Sequence, residues 1–156
     1  MKNLLVLALG LSGLAAATTE VEPIIKDKRV QLDDSLVLDV KCETSDDSPY
    51  QHHIIAAASK IWNGPDTHCY QHKIFGDHCT KIEASEGAIV RVCNKGEDHT
   101  DPEASMVCLN VENAARAIAE HCANEDGRAG GESIEWTKTD VGWKKNQQWV
   151  DVVRNW

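Results

Sequence analysis

Ser48-Pro49-Tyr50-Gln51-His52-His53-Ile54-Ile55-Ala56-Ala57-Ala58-Ser59-Lys60-Ile61-Trp62-Asn63-Gly64-Pro65 is the stretch that decides the fold. Serine at the N-cap, proline at the first helical position and glutamine three residues after the cap form a helix-start signature. Ile54, Ile55, Ala58, Ile61 and Trp62 then recur on one face, and Asn63-Gly64-Pro65 ends the pattern. The spacing predicts a helix over 49–62. Its apolar stripe must cover something, most simply one face of a sheet.

Strands are predicted on both sides of it. Upstream, Leu36, Leu38 and Val40 alternate with Val37, Asp39 and Lys41, an expected edge strand that carries Cys42. Downstream, 66–87 reads as irregular, with a short strand at Thr80–Glu83 before a Ser85-Glu86-Gly87 turn. Ala88–Cys93 is β-branched and apolar, a central strand. Asn94–Ala104 is an acidic loop. Val107, Val111, Ala114, Ala115, Ile118 and Cys122 then form a second helical stripe, capped by Asn110 and running to about Ala123. Gly127–Gly131 is a flexible turn, and Ser133–Lys138 alternates as a strand with Trp136 inward. The tail from Trp143 to Trp156 reads first as a last strand, with a short helix as the alternative. Two helices on one face of a small antiparallel or mixed sheet give an α+β two-layer sandwich.

The first residues read differently. Residues 1–17 are Met-Lys-Asn, an apolar run and Ala15-Ala16-Ala17, the pattern of a secretory signal peptide cut after Ala17. The run is too short for a membrane span, and no later segment is long enough to be one. Residues 18–29 form a candidate propeptide ending in the dibasic pair Lys28-Arg29, which leaves 30–156 as a single domain. A cut there removes Lys2, Lys26, Lys28 and Arg29 with Glu20, Glu22 and Asp27. From 16 basic and 25 acidic residues the count falls to 12 and 22, a net charge of −10. Nucleic acids and anionic lipids are bound by lysines and arginines that neutralise phosphate. A chain this acidic, with no basic run longer than Lys144-Lys145, carries no such footprint along its sequence.

Six cysteines behind a signal peptide, Cys42, Cys69, Cys79, Cys93, Cys108 and Cys122, read as three disulfides. The pairings stay open with one exception. Cys108 and Cys122 flank the second helix, roughly 20 Å apart at about 1.5 Å per residue, and bonded Cα atoms lie within about 7 Å. They should each tie the helix to another element.

The layout resembles small secreted cysteine-rich proteins of filamentous fungi, in particular the necrosis-inducing secreted effector family and related killer-toxin-like proteins. The matching pieces are Ser48-Pro49 opening a helix that ends Ile61-Trp62-Asn63, and Phe75-Gly76-x-x-Cys79 before a strand. The strand closing in Cys93, the helix Val111–Cys122 and Gly127-Arg128-Ala129-Gly130-Gly131 leading to Trp136 complete them. They span about residues 42–137; the tryptophan-bearing C-terminal segment is an addition. The resemblance implies a secreted, extracellular fungal protein, in the host apoplast or translocated into host cells. It would act on plant or competitor cells as a virulence effector or antagonistic toxin.

Chemistry-bearing residues are weighed on that background. His68-Cys69-Tyr70-Gln71-His72 with His78-Cys79 is the densest set of potential metal ligands, but it has no Cys-x-x-Cys and its cysteines are expected to oxidise, so a disulfide region is favoured over zinc. His52, His53, His72, His78, His99 and His121 allow a ribonuclease-like alternative, a small secreted hydrolase using paired imidazoles. Neighbouring His52 and His53 are expected to diverge by about 100° on their helix. No Gly-x-Ser-x-Gly, His-Glu-x-x-His or phosphate-binding glycine loop is present. No catalytic residue, cofactor or metal is therefore assigned. Five tryptophans against one phenylalanine leave Trp143, Trp149 and Trp156 as candidate partner-binding residues. The expectation is a non-enzymatic, monomeric binding protein for a host or competitor protein or glycan, without nucleic acid.

Overall fold

The computed structural model describes residues 27–61, 64, 67–72, 76–94 and 104–155. The signal-peptide reading with Ala17, most of the propeptide, Trp62, His99 and Trp156 lie outside the described residues.

The chain opens with β1 (Asp27–Asp33) and β2 (Leu36–Cys42), followed by α1 (Gln51–Ala58), β3 (His68–Gln71), β4 (Cys79–Ser85) and β5 (Ala88–Asn94). It continues through β6 (Ala104–Val107), α2 (Cys108–His121), β7 (Gly131–Thr139) and β8 (Gly142–Arg154). Six strands form one antiparallel sheet in the order β1-β2-β7-β8-β5-β4, and β3 pairs with β6 in a separate two-stranded sheet. The last hairpin in the sequence thus sits at the centre, joining the β1–β2 and β4–β5 hairpins. The protein is α+β, as its sequence pattern predicts, but sheet dominates the layout, and the β3–β6 pair adds an element that a simple two-layer expectation lacks.

The core lies between the six-stranded sheet and the helices. Leu38, Val40, Val90, Val92, Val150 and Val152 meet Ile54, Ala57 and Ala58 of α1 and Val111, Ala114, Ala115 and Ile118 of α2, all buried. α1 lies over β4 and β5, α2 over β2, β7 and β8, and the helices touch each other. Alanines on α2 permit that approach because they present no bulk beyond Cβ.

Disulfides join Cys42 to Cys122, Cys69 to Cys108 and Cys79 to Cys93. Both ends of α2 are therefore stapled elsewhere, as the helix length requires: the C-terminal end to β2, the N-terminal end to β3. Cys79 and Cys93 face each other directly across β4 and β5.

Several expectations are corrected. α1 starts at Gln51 with Tyr50 at its N-cap and no side-chain cap. Ser48 Oγ instead accepts the Ser45 amide at 2.9 Å. Backbone bonds from Gln51 N–H to the Gly127 carbonyl (2.8 Å) and from Ala129 N–H to the Pro49 carbonyl (2.9 Å) hold 49–51 extended against the 127–129 loop. At the other end Lys60 and Ile61 donate three residues back, to Ala57 and Ala58, so the helix tightens into a turn before its expected end.

Leu36–Cys42 is an interior strand, because Asp27–Asp33 forms its own edge strand beside it. The reversal is local: Asp33 Oδ1 accepts both the amide and the hydroxyl of Ser35, each at 2.7 Å. Lys28 and Arg29 consequently lie inside β1, opposite Val40 and Asp39. The strand predicted at Thr80–Glu83 extends over Cys79–Ser85, while β3 and β6 replace expected loop and helix entry. Asn110 does not cap α2; Val107 holds the N-cap position.

Candidate interaction surface

Side chains on a strand alternate between faces, and directly paired residues of neighbouring strands share a face. On β7 the odd positions Ser133 and Glu135 are buried toward the helices, so Ile134, Trp136 and Lys138 point to the opposite face. Register carries this across the sheet. Trp136 pairs with Val37 and Lys145, Ile134 with Asp39 and Trp149, and Lys138 with Trp143. Trp149 also stands opposite Cys93. Trp136, Trp143 and Trp149 therefore occupy the sheet face turned away from both helices.

This face of an antiparallel sheet is ordinarily polar. Here it carries Val37, Ile134, three tryptophans and the Cys79–Cys93 bridge, flanked by a charged row in which Arg91 pairs with Asp151 and with Asp77 (3.0 Å). Two cations approach the Trp136 ring, Arg29 at 5.9 Å and Lys145 at 5.8 Å from its centroid. Arg29 is held there by Asp39 at 2.9 Å. The indole N–H of Trp136 is buried and finds no acceptor among the described residues. Of the predicted partner-binding residues, Trp143 is 46% exposed, Trp149 is half-buried on the same face, and Trp156 lies outside the described residues. The sequence expectation for Trp136 was a core position; the register with β2 and β8 places it on the outer face instead.

The inward position is taken by Glu135. The residue is 5% exposed, and its carboxylate accepts from Asn110 Nδ2 at 2.9 Å and Asn146 Nδ2 at 3.0 Å. Burial pushes its pKa above the ordinary glutamate value, and the two amides only partly offset that. A folded-state carboxyl that holds its proton more tightly than the unfolded chain stabilises the fold most at acid pH, and that contribution fades as pH rises through the raised value. Glu135→Gln should therefore gain on the wild type as pH rises from about 4 toward neutrality. Denaturant unfolding midpoints of both proteins across this range check it; a difference independent of pH would refute it.

The histidines gather in two places. Tyr50 stacks on His52 with centroids 5.7 Å apart, and His52 and His53 touch at 4.1 Å, so the expected divergence of these neighbours does not occur. Tyr50 and Arg128 organise the group: the Arg128 guanidinium sits 4.4 Å from the Tyr50 ring and donates to the Ser48 carbonyl at 2.8 Å. His68 and Tyr70 of β3 and His72 just beyond it form an exposed ladder with centroids 6.2 and 5.6 Å apart. Cys69 and Cys79, within the dense His/Cys run, are both disulfide-bonded. The cluster of metal-ligand type among the described residues, Cys79, Cys93 and Asp151, likewise has both sulfurs in a disulfide. No helix among the described residues is long and apolar enough to cross a membrane.

At the level of class, fold and site define a disulfide-reinforced α+β domain with an aromatic outer sheet face. No family model, curated protein or solved structure matches the chain.

Proposed function

We propose that this chain is a secreted, non-enzymatic binding protein of the effector or toxin-like type, which acts on host or competitor cells by presenting its outer sheet face. The observation that carries the reading is the convergence of Trp136, Trp143 and Trp149 on the face the helices leave open, where an antiparallel sheet needs no tryptophan for its own core. Tryptophan is over-represented among residues that dominate binding energy. All six cysteines are paired, which fits an oxidising compartment. Layout resemblance to fungal necrosis-inducing and killer-toxin-like proteins supports the choice of target.

The test is Trp143→Ala. Because Trp143 sits at an exposed hairpin position, the variant should keep its unfolding midpoint within about 0.5 kcal/mol. It should lose action on plant leaf tissue, scored as cell death or immune suppression, by on the order of 30-fold, the effect of a hot-spot residue. Full activity in the variant would refute the reading. One observation favours a second reading, ribonuclease-like hydrolysis: the contact of His52 with His53 beside Tyr50, whose hydroxyl accepts from Arg128. RNA turnover by the wild type that disappears in His52→Ala would move the function there.

A further inference from the structure

β7 and β8 run on together past their neighbours. Pairing of β7 with β2 ends at Thr137 opposite Leu36, and pairing of β8 with β5 ends at Gln148 opposite Asn94. From Gln148 to Gly142 the second strand extends roughly 20 Å at about 3.3 Å per residue. The hairpin closes on Thr139 and Gly142 around Asp140 and Val141. Gly142 takes φ +121, a backbone that L side chains rarely adopt, and Thr139 Oγ1 donates to its carbonyl at 2.7 Å. At the apex Val141 is 98% exposed, and Trp143 follows two residues on.

Lys138 and Lys145 stand on the Trp143 face of this hairpin and Lys144, opposite Thr137, on the other, all exposed, against the single carboxylate Asp140 within 138–145. No ion pair to any of the three lysines occurs among the described residues. The hairpin tip is thus cationic on a chain whose net charge is −9. Charges more than about 10 Å away are screened at ordinary ionic strength, so the tip is read by a partner through its own lysines. An apolar apex, a tryptophan and a collar of lysines match the layers of an anionic bilayer surface. Tryptophan favours the headgroup region, and lysine stems extend while their ammonium groups reach phosphate.

We infer that the β7–β8 tip docks on anionic phospholipid, with Val141 and Trp143 entering the headgroup layer and Lys138, Lys144 and Lys145 facing its phosphates. The assignment rests on the proposed action on target cells and names the component the face meets there. Whole-chain charge does not show this footprint, because the turn brings Lys138 back to the short pair Lys144-Lys145.

The experiment is co-sedimentation of the full oxidised protein with phosphatidylcholine vesicles, with and without phosphatidylserine, at low and high salt. Each lysine near an anionic leaflet contributes about fivefold, so phosphatidylserine should raise partitioning on the order of 100-fold at low salt, and high salt should remove the gain. Lys138→Gln with Lys144→Gln should lower it about 25-fold. Val141→Asp, at an apex position that supports no core, should abolish it with the unfolding midpoint unchanged. Equal binding to both vesicles, no binding, or binding kept by Val141→Asp overturns the assignment. Retention on insoluble chitin or cellulose without vesicle binding overturns it in favour of a wall glycan. If the wild type ignores vesicles while Trp143→Ala still loses its effect on cells, the lipid assignment falls and the broader function stands. Vesicle binding with full cell activity in Trp143→Ala leaves the lipid contact and removes the broader function.

Discussion

Replacing Cys42 and Cys122 together by alanine is expected to destabilise the protein by about 4.5 kcal/mol, the largest effect among the three disulfides. A cross-link acts chiefly by restricting the unfolded chain, and the restriction grows with the loop it closes. The separations are 80 residues for Cys42–Cys122, 39 for Cys69–Cys108 and 14 for Cys79–Cys93. The same relation gives about 3.9 and about 3.0 kcal/mol for the other two. In a domain of this size the first loss lowers Tm by on the order of 10–20 °C. Position adds to length here. Cys122 closes α2 beside Thr44, whose hydroxyl donates to the Cys122 carbonyl at 2.7 Å, and Cys42 ends the strand that pairs with β7. Thermal unfolding of the three double-alanine variants under non-reducing conditions measures the order. A Cys79–Cys93 variant that melts below the Cys42–Cys122 variant would contradict it.

The parts of this fold that periodicity can express were legible. Both helices are found where apolar residues recur at helical spacing, and Ala88–Asn94, Gly131–Thr139 and Gly142–Arg154 are strands where alternation or β-branched runs predict them. Cys108 and Cys122 go to separate partners because helix length forbids their union. What alternation cannot express is which of its two phases faces the core. Ile134-Glu135-Trp136 offers an apolar phase and a polar one, and intuition turns the tryptophan inward. The structure turns Glu135 inward, because Asn110 and Asn146, 25 residues before it and 11 after, supply donors to both carboxylate oxygens. Those partners meet only once α2 and β8 are in place.

The candidate surface was half legible for the same reason. Tryptophan abundance in the tail flags Trp143 and Trp149, but their common face with Trp136 follows from cross-strand register, and so does the placing of Lys138 and Lys145 on that face, with Lys144, opposite Thr137, on the other. Short elements escaped as well. β3 has four residues, His-Cys-Tyr-Gln, too few and too polar to show a strand pattern, although Cys69 and Gln71 are buried and His68 and Tyr70 exposed in strict alternation.

Gly131→Ala should cost about 3–5 kcal/mol, the sum of a strained backbone and an overpacked contact. The glycine-rich 127–131 segment reads from sequence as a flexible turn, and its second half is the opposite. Gly130 and Gly131 are buried. Gly131 takes φ +146, and a Cβ there would stand 2.1 Å from the Lys41 carbonyl oxygen and 3.1 Å from the Cys42 Cα. Both obstacles are backbone, so no side chain can swing aside. Gly131 is at once the partner of Cys42 on β2 and of Val152 on β8, where β7 enters the sheet. Relief would require opening the sheet beside the Cys42–Cys122 bridge, and the strand displaced is the one that sets the register of Trp136. Gly127 provides the control. It too has positive φ, +72, but open space around the missing Cβ. Gly127→Ala should cost only about 1–2 kcal/mol for its left-handed backbone. Denaturant midpoints of the two variants, with secreted yield alongside, separate close approach from turn conformation. Equal losses at the two positions would mean that β2 and β7 are not packed backbone against backbone at Gly131.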